Sequence, residues 1–164
     1  MIEMDDRLIE AIELRSKEQY VDSKKIFLEL LLENPNDGII NYHFAWLHDK
    51  MGLEREAVSY YNKAINSGLP SDELRGALLG LGSTYRTLGE YDKSFDCLNK
   101  GTTLFPEAHE FKVFLAMCLY NKKEYANAME VLLKTLVITN TDKGIKAFED
   151  AILFYSDKLD MVWI

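Results

Sequence analysis

Two cysteines, three prolines and nine glycines in 164 residues mark an ordinary soluble globular composition, not a fibrous or low-complexity one. Cys97 and Cys118 each sit inside an apolar helical pattern. Two thiols so placed make neither a disulfide framework nor a metal site, and both are expected to be reduced core residues. Positive charge is short as well. The net charge is −8 and no Lys/Arg cluster is visible, which argues against nucleic-acid or anionic-lipid binding. No apolar run approaches the ~18 residues of a membrane span. The opening MIEMDDRLIE is acidic and helical, unlike a signal sequence, so a cytoplasmic protein is expected.

Catalytic signatures are missing too. The chain has no GxxxxGK[ST] loop, HExxH, CxxC or GxSxG. His43 and His48, five apart, point to different faces of a helix and make no metal pair, while His109 stands alone. The carboxylates are scattered over solvated faces. Neither enzymatic activity, nor a cofactor, nor a metal is expected.

What the chain does have is a repeating unit. Leu81–Tyr91, LGSTYRTLGEY, sets Gly82 three before Tyr85, then a turn glycine, Gly89, then Tyr91. With Ser94, Leu98 and Pro106 following, this reads as one helix–turn–helix. It resembles the tetratricopeptide repeat, whose signature is W-x2-L-G-x2-Y…A-x3-F…P over 34 residues. The small residue that admits close helix contact recurs as Ala11, Ala45, Gly82 and Ala116, at intervals of 34, 37 and 34 residues.

Four units follow, at about 4–37, 38–70, 71–106 and 107–140. In the first, Tyr20, Ser23, Phe27 and Pro35 match the repeat, whereas Arg7 and Glu10 replace the usual Trp and Leu. A terminal repeat has one side in water, so polar replacements are expected there. In the second, Ala57, Tyr61 and Ala64 match, and His48 replaces the aromatic before the turn at Gly52. The longer link, Asn66–Ser71, accounts for the 37-residue interval. In the third, Gly101 stands mid-helix where Ala is usual, which suggests close packing. In the fourth, Leu115, Ala116, Leu119, Tyr125, Ala128 and Leu132 are in place, and Asn140 stands where proline usually closes the repeat.

A ninth helix, about 141–160, is expected to cap the last repeat. Ile145, Phe148, Ile152, Tyr155 and Leu159 would form its buried stripe, with Ala147, Ala151 and Phe154 adjoining. Lys146, Glu149, Asp150, Ser156, Asp157 and Asp160 would give a polar outer face. The resemblance implies an all-α fold. It would be a right-handed superhelical solenoid of antiparallel helix pairs, four repeats plus a C-terminal capping helix, forming a single domain over 1–164.

The resemblance further implies that the first helix of each pair lines a concave groove. Helical spacing then selects the inward residues. The first repeat offers Asp5, Leu8, Ile12 and Arg15. The second offers Ile39, Tyr42, His43, Trp46 and Asp49, the third Gly76, Leu79, Gly80, Ser83 and Arg86, the fourth Glu110, Val113, Phe114, Met117 and Tyr120. The binding residues expected are Tyr42, His43, Trp46, Asp49, Leu79, Ser83, Arg86, Val113, Met117 and Tyr120. Small residues at 76, 80 and 83 between aromatic walls would leave an apolar slot for a peptide or a helix face. The Lys, Asn and Arg clamp with which such repeats hold acidic chaperone tails is absent: started in the first repeat it would fall on Leu8, Ile12, His43, Glu110 and Phe114, and started in the second its first two positions are Tyr42 and Trp46.

The expected function is a non-catalytic protein-interaction module with a protein or peptide partner and neither nucleic acid nor membrane. The alternative is a homo-oligomeric scaffold whose groove or cap is filled by its own C-terminal segment. That segment, Asp160–Ile164, ends in four apolar residues that would be costly to leave in water, and a homodimer through it is one outcome.

Overall fold

The computed structural model describes residues 5–163, so Met4, where the first repeat was placed, and Ile164 lie outside the described residues. Ten helices and no strand are found among them. They are α1 (Asp6–Ser16), α2 (Tyr20–Glu33), α3 (Gly38–Lys50), α4 (Glu54–Asn66), α5 (Ser71–Thr87), α6 (Tyr91–Leu104), α7 (His109–Asn121), α8 (Tyr125–Thr139), α9 (Lys143–Ala147) and α10 (Glu149–Tyr155). The chain divides into two compact units, one ending at Gly89 and the other beginning at Glu90. The division falls in the turn between α5 and α6, inside the third sequence repeat.

The turns within the repeats share one backbone device. Glu18, Gly52, Gly89 and Lys123 are all left-handed, with φ of 60°, 70°, 77° and 66°. Around three of them the chain closes the preceding helix in the same way. Gln19 N–H donates to Leu14 C=O, Leu53 N–H to His48 C=O and Glu124 N–H to Leu119 C=O, each at 2.9 Å. These bonds satisfy carbonyls that a helix end leaves orphaned. Glycine adopts such a φ freely; Glu18 and Lys123 must be held there.

The core of the N-terminal unit is Leu8, Ala11, Phe27, Leu30, Ile40, Phe44 and Leu47. Ala11 is fully buried, and Ser23 Oγ donates to its carbonyl at 2.8 Å, so α1 and α2 touch backbone to side chain. Phe44 meets Phe27 at 5.6 Å and Tyr60 at 4.7 Å. His48 fills its aromatic position as a buried ring, edge-on to Phe44 and stacked on Tyr60. Its Nδ1 lies 2.8 Å from the Phe44 carbonyl, and burial holds its pKa below the usual value. Arg7, the polar replacement in the first repeat, reaches across to Glu33 at 2.8 Å on the exposed edge of α1 and α2. An exposed pair of this kind adds little stability.

In the C-terminal unit α6, α7 and α8 pack in sequence order, and α10 lies on α8. Gly101 is where the Phe111 ring enters: a Cβ there would stand 2.7 Å from Phe111 Cζ. Phe105 stacks on Phe111 with centroids 6.1 Å apart. Cys118 is buried, its thiol 3.3 Å from the Tyr91 carbonyl, while Cys97 is only partly buried, not the core residue expected. Asn140 replaces the closing proline by side-chain bonding. Its Oδ1 accepts from Asp142 N–H at 2.6 Å, and Asp142 in turn caps α9 through Gly144 and Ile145.

The cap departs from expectation. The helix awaited over 141–160 is two short ones, broken at Phe148 (φ −114°, ψ 16°). Of the expected buried stripe, Ile145 and Ile152 stay partly buried, whereas Phe148, Tyr155 and Leu159 do not. Lys146, Asp150, Asp157 and Asp160 are exposed as expected, but Ser156 is buried and the apolar Phe148, Phe154, Tyr155 and Leu159 are exposed beside them. Trp163 folds back on this segment, 5.3 Å from Tyr155 and 6.4 Å from Phe154, yet remains largely exposed.

Candidate functional site

The first-helix face of the N-terminal unit is built on α3, where Tyr42, Trp46 and Asp49 follow one another at three- and four-residue spacing and share a side. Trp46 is its most accessible apolar member, 39% exposed. Two rings cluster with it. His43 stacks on Trp46 at 6.4 Å, and Tyr42 stands 4.7 Å from His43 and 6.1 Å from Trp46. From α1, Arg15 lays its guanidinium 4.0 Å over the Trp46 ring, and its Nη1 donates to the His43 carbonyl at 2.9 Å. Arg15, His43 and Tyr42 thus hold the indole while part of it stays in solvent.

At the far end of the face, Asp49 accepts from Tyr61 Oη at 2.8 Å and from Thr84 Oγ1 at 2.9 Å. These donors come from α4 and α5, so one carboxylate ties three helices together. Burial pushes the Asp49 pKa up, while the two hydroxyl donors pull it back. Tyr61, almost wholly buried, has its own pKa raised by burial and by the neighbouring carboxylate. His43 is held neutral, its pKa pushed down to about 4 by burial and by the Arg15 charge.

The structure gathers Tyr42, His43, Trp46 and Asp49 as the spacing implied, and Leu79, Ser83 and Arg86 follow on α5, each partly buried. Two features differ. Tyr42 is buried and is a wall, not a contact surface. The slot expected over the α5 glycines is filled: Tyr42 lies against Gly76 and Tyr61 against Gly80, where added Cβ atoms would stand 2.8 and 2.6 Å from the two Cζ atoms. Small residues here accommodate the protein's own tyrosines, because α3 and α4 pack directly on α5. Sequence reasoning passed over Tyr61 and Thr84, since each sits at a position explained by helix packing alone. Only the pairing with Asp49 reveals their polar role.

In the C-terminal unit Val113, Met117 and Tyr120 share one side of α7. Met117 and Tyr120 are exposed, and Tyr120 packs edge-on against Tyr125 at 5.0 Å. Among the described residues there is no group of three or more His, Cys, Asp or Glu placed to hold a metal ion. No helix among them is long and apolar enough to cross a membrane.

A family model described as tetratrico peptide repeat matches residues 38–155. No curated protein matches the chain in sequence. Among solved structures it is similar to the Cut9–Hcn1 hetero-tetramer of the APC/C, at TM-score 0.74 and 17% identity, covering 92% of this chain and 29% of that one. The chain thus spans under a third of that relative's length. It is also similar to PilF of Pseudomonas aeruginosa, at TM-score 0.72 and 19% identity, covering 94% and 69%. A third is MamA, at TM-score 0.69 and 16% identity, covering 94% of each chain. At these identities the likeness speaks for the all-helical repeat fold.

Proposed function

The chain belongs to the tetratricopeptide repeat family, and from that premise we propose that it is a non-catalytic module that binds an apolar segment of a partner protein along its first-helix face. The observation that carries this reading is Trp46. A large aromatic side chain stands partly in water, yet Arg15 and His43 hold it rigidly. Pre-ordered aromatic anchors of this kind dominate binding energy at interfaces because little side-chain entropy remains to be lost. Leu79, Ser83 and Arg86 extend the contact surface on α5, and Val113, Met117 and Tyr120 supply a second one on α7. A net charge of −8 disfavours nucleic acid and anionic membrane as partners.

The test is selection of binders from a displayed library of random dodecapeptides. Selected peptides are expected to lose about 2 kcal/mol or more of affinity to Trp46→Ala, while that variant melts as cooperatively as the parent. Equal destabilisation by Trp46→Ala and by Leu81→Ala, a core deletion, would make Trp46 a packing residue and remove this reading.

A second reading, self-association through the C-terminal segment, is favoured by a different observation. Phe148, Phe154, Met161, Val162 and Trp163 are all more than half-exposed at one end of the C-terminal unit. Trp163 meets Phe154 there, and exposed apolar side chains in such number mark an interaction surface.

A further inference from the structure

The first-helix face of the N-terminal unit holds two charges without counter-ions. Arg15 is only 7% exposed, and its neighbours are a backbone carbonyl, the His43 ring and the Trp46 face. Among the described residues no carboxylate lies within ion-pair distance of it. Its place in the last turn of α1 offers the helix dipole, which is a fraction of a full charge. Asp49 is partly buried and accepts from two neutral hydroxyls, with no Lys or Arg paired to it among the described residues.

A buried charge left without a partner is destabilising, and a packed interior would replace it with an apolar side chain. Here two charges of opposite sign are kept on one face, with the exposed edge of Trp46 beside the first and one helical turn from the second. The arrangement is bipolar: cation, aromatic, anion. Neither charge answers the other, since Trp46 and Tyr61 stand next to them instead.

We propose that this face recognises a peptide segment of another protein that presents a carboxylate side chain to Arg15, an apolar side chain to Trp46, and a Lys or Arg to Asp49. This deepens the groove reading above and rests on it. The Arg15 guanidinium, already desolvated and oriented by the His43 carbonyl, forms a directional bond to a planar carboxylate with little further ordering. Asp49, positioned by Tyr61 and Thr84, does the same for an ammonium or guanidinium. The two charges also discriminate among apolar segments: one without flanking charges binds more weakly because both protein charges stay unpaired, and one with the opposite polarity places like charges together.

The probe is the same library of random dodecapeptides selected on the full chain. The selected peptides are expected to carry an acidic and a basic residue at fixed spacing about an apolar one. Arg15→Met, which keeps the aliphatic stem over Trp46, and Asp49→Asn, which keeps the hydroxyl bonds, should each weaken binding about tenfold or more. Arg15→Glu should lose the parent peptide and bind its counterpart in which the acidic residue is exchanged for Lys. Peptides that need Trp46 but bind Arg15→Met and Asp49→Asn as tightly as the parent chain would overturn the bipolar site and leave the apolar groove standing. Selected peptides indifferent to Trp46→Ala, or no selected peptide at all, would overturn both. Loss of cooperative melting in Arg15→Met would show Arg15 to be a strut between α1 and α3 and would also overturn the proposal.

Discussion

The Tyr61 ring occupies the space where a side chain at Gly80 would stand, a Cβ there falling 2.6 Å from Tyr61 Cζ. Tyr61 is thereby held with its hydroxyl on Asp49, 2.8 Å away. A glycine in α5 thus sets the position of a carboxylate on α3.

Gly80→Ala gains about 1 kcal/mol of helix propensity and should nevertheless destabilise the fold, since overpacking a filled site costs about 1–3 kcal/mol. Gly101→Ala meets the Phe111 ring in the same manner and should behave alike. Urea unfolding of each variant measures this. A rise in midpoint for either would mean that the tyrosine or phenylalanine yields easily.

Stability should fall with pH between about 6.5 and 4. The folded pKa of His43 is pushed down to about 4, below its unfolded value, so the unfolded chain binds more protons across that interval. Its contribution is complete above the unfolded pKa and is lost as pH falls toward the folded one. The loss amounts to at most about 3 kcal/mol by linkage. His48, also depressed, adds in the same direction, while Asp49, whose pKa burial raises, opposes it at the acid end. Denaturant titrations at several pH values should show the slope in the parent and a shallower one in His43→Gln. An identical slope in both would assign the effect elsewhere.

Glu18 and Lys123 stand at left-handed turn positions where Gly52 and Gly89 occupy the equivalent sites. Relieving that backbone strain outweighs the added freedom of the unfolded chain, so Glu18→Gly and Lys123→Gly should each stabilise by up to about 1 kcal/mol. Gly52→Ala and Gly89→Ala should destabilise by a similar amount. Thermal melts of the four variants decide the matter; a lower melting temperature for both glycine replacements would show that Glu18 and Lys123 make side-chain contacts that matter more than φ.

Removal of Met161–Ile164 tests the C-terminal patch. Trp163 packs on Tyr155 and Phe154 yet stays 56% exposed. Should a second copy dock there, the parent sediments as a dimer at high concentration and the truncated chain as a monomer. A monomer for both, across a wide concentration range, removes self-association through this segment. Aggregation of the truncated chain alone would assign Trp163 the task of covering the cap.

Local sequence determined the repeat and its grain. The small residues at 11, 45, 82 and 116 and the left-handed turns at 18, 52, 89 and 123 keep the same 34-, 37- and 34-residue rhythm, because both are set by how a short helix ends and how closely the next one approaches. Helical spacing likewise determined that Tyr42, Trp46 and Asp49 would share a side. Which of them meets solvent was a matter of tertiary packing. Tyr42 turns into the space of Gly76, Trp46 stays out under Arg15, and Asp49 is met by hydroxyls from two other helices. The broken cap at Phe148 and the exposure of Trp163 belong to the same class. A period states which residues share a face, but burial depends on what another helix places against that face, and residues distant in sequence decide that.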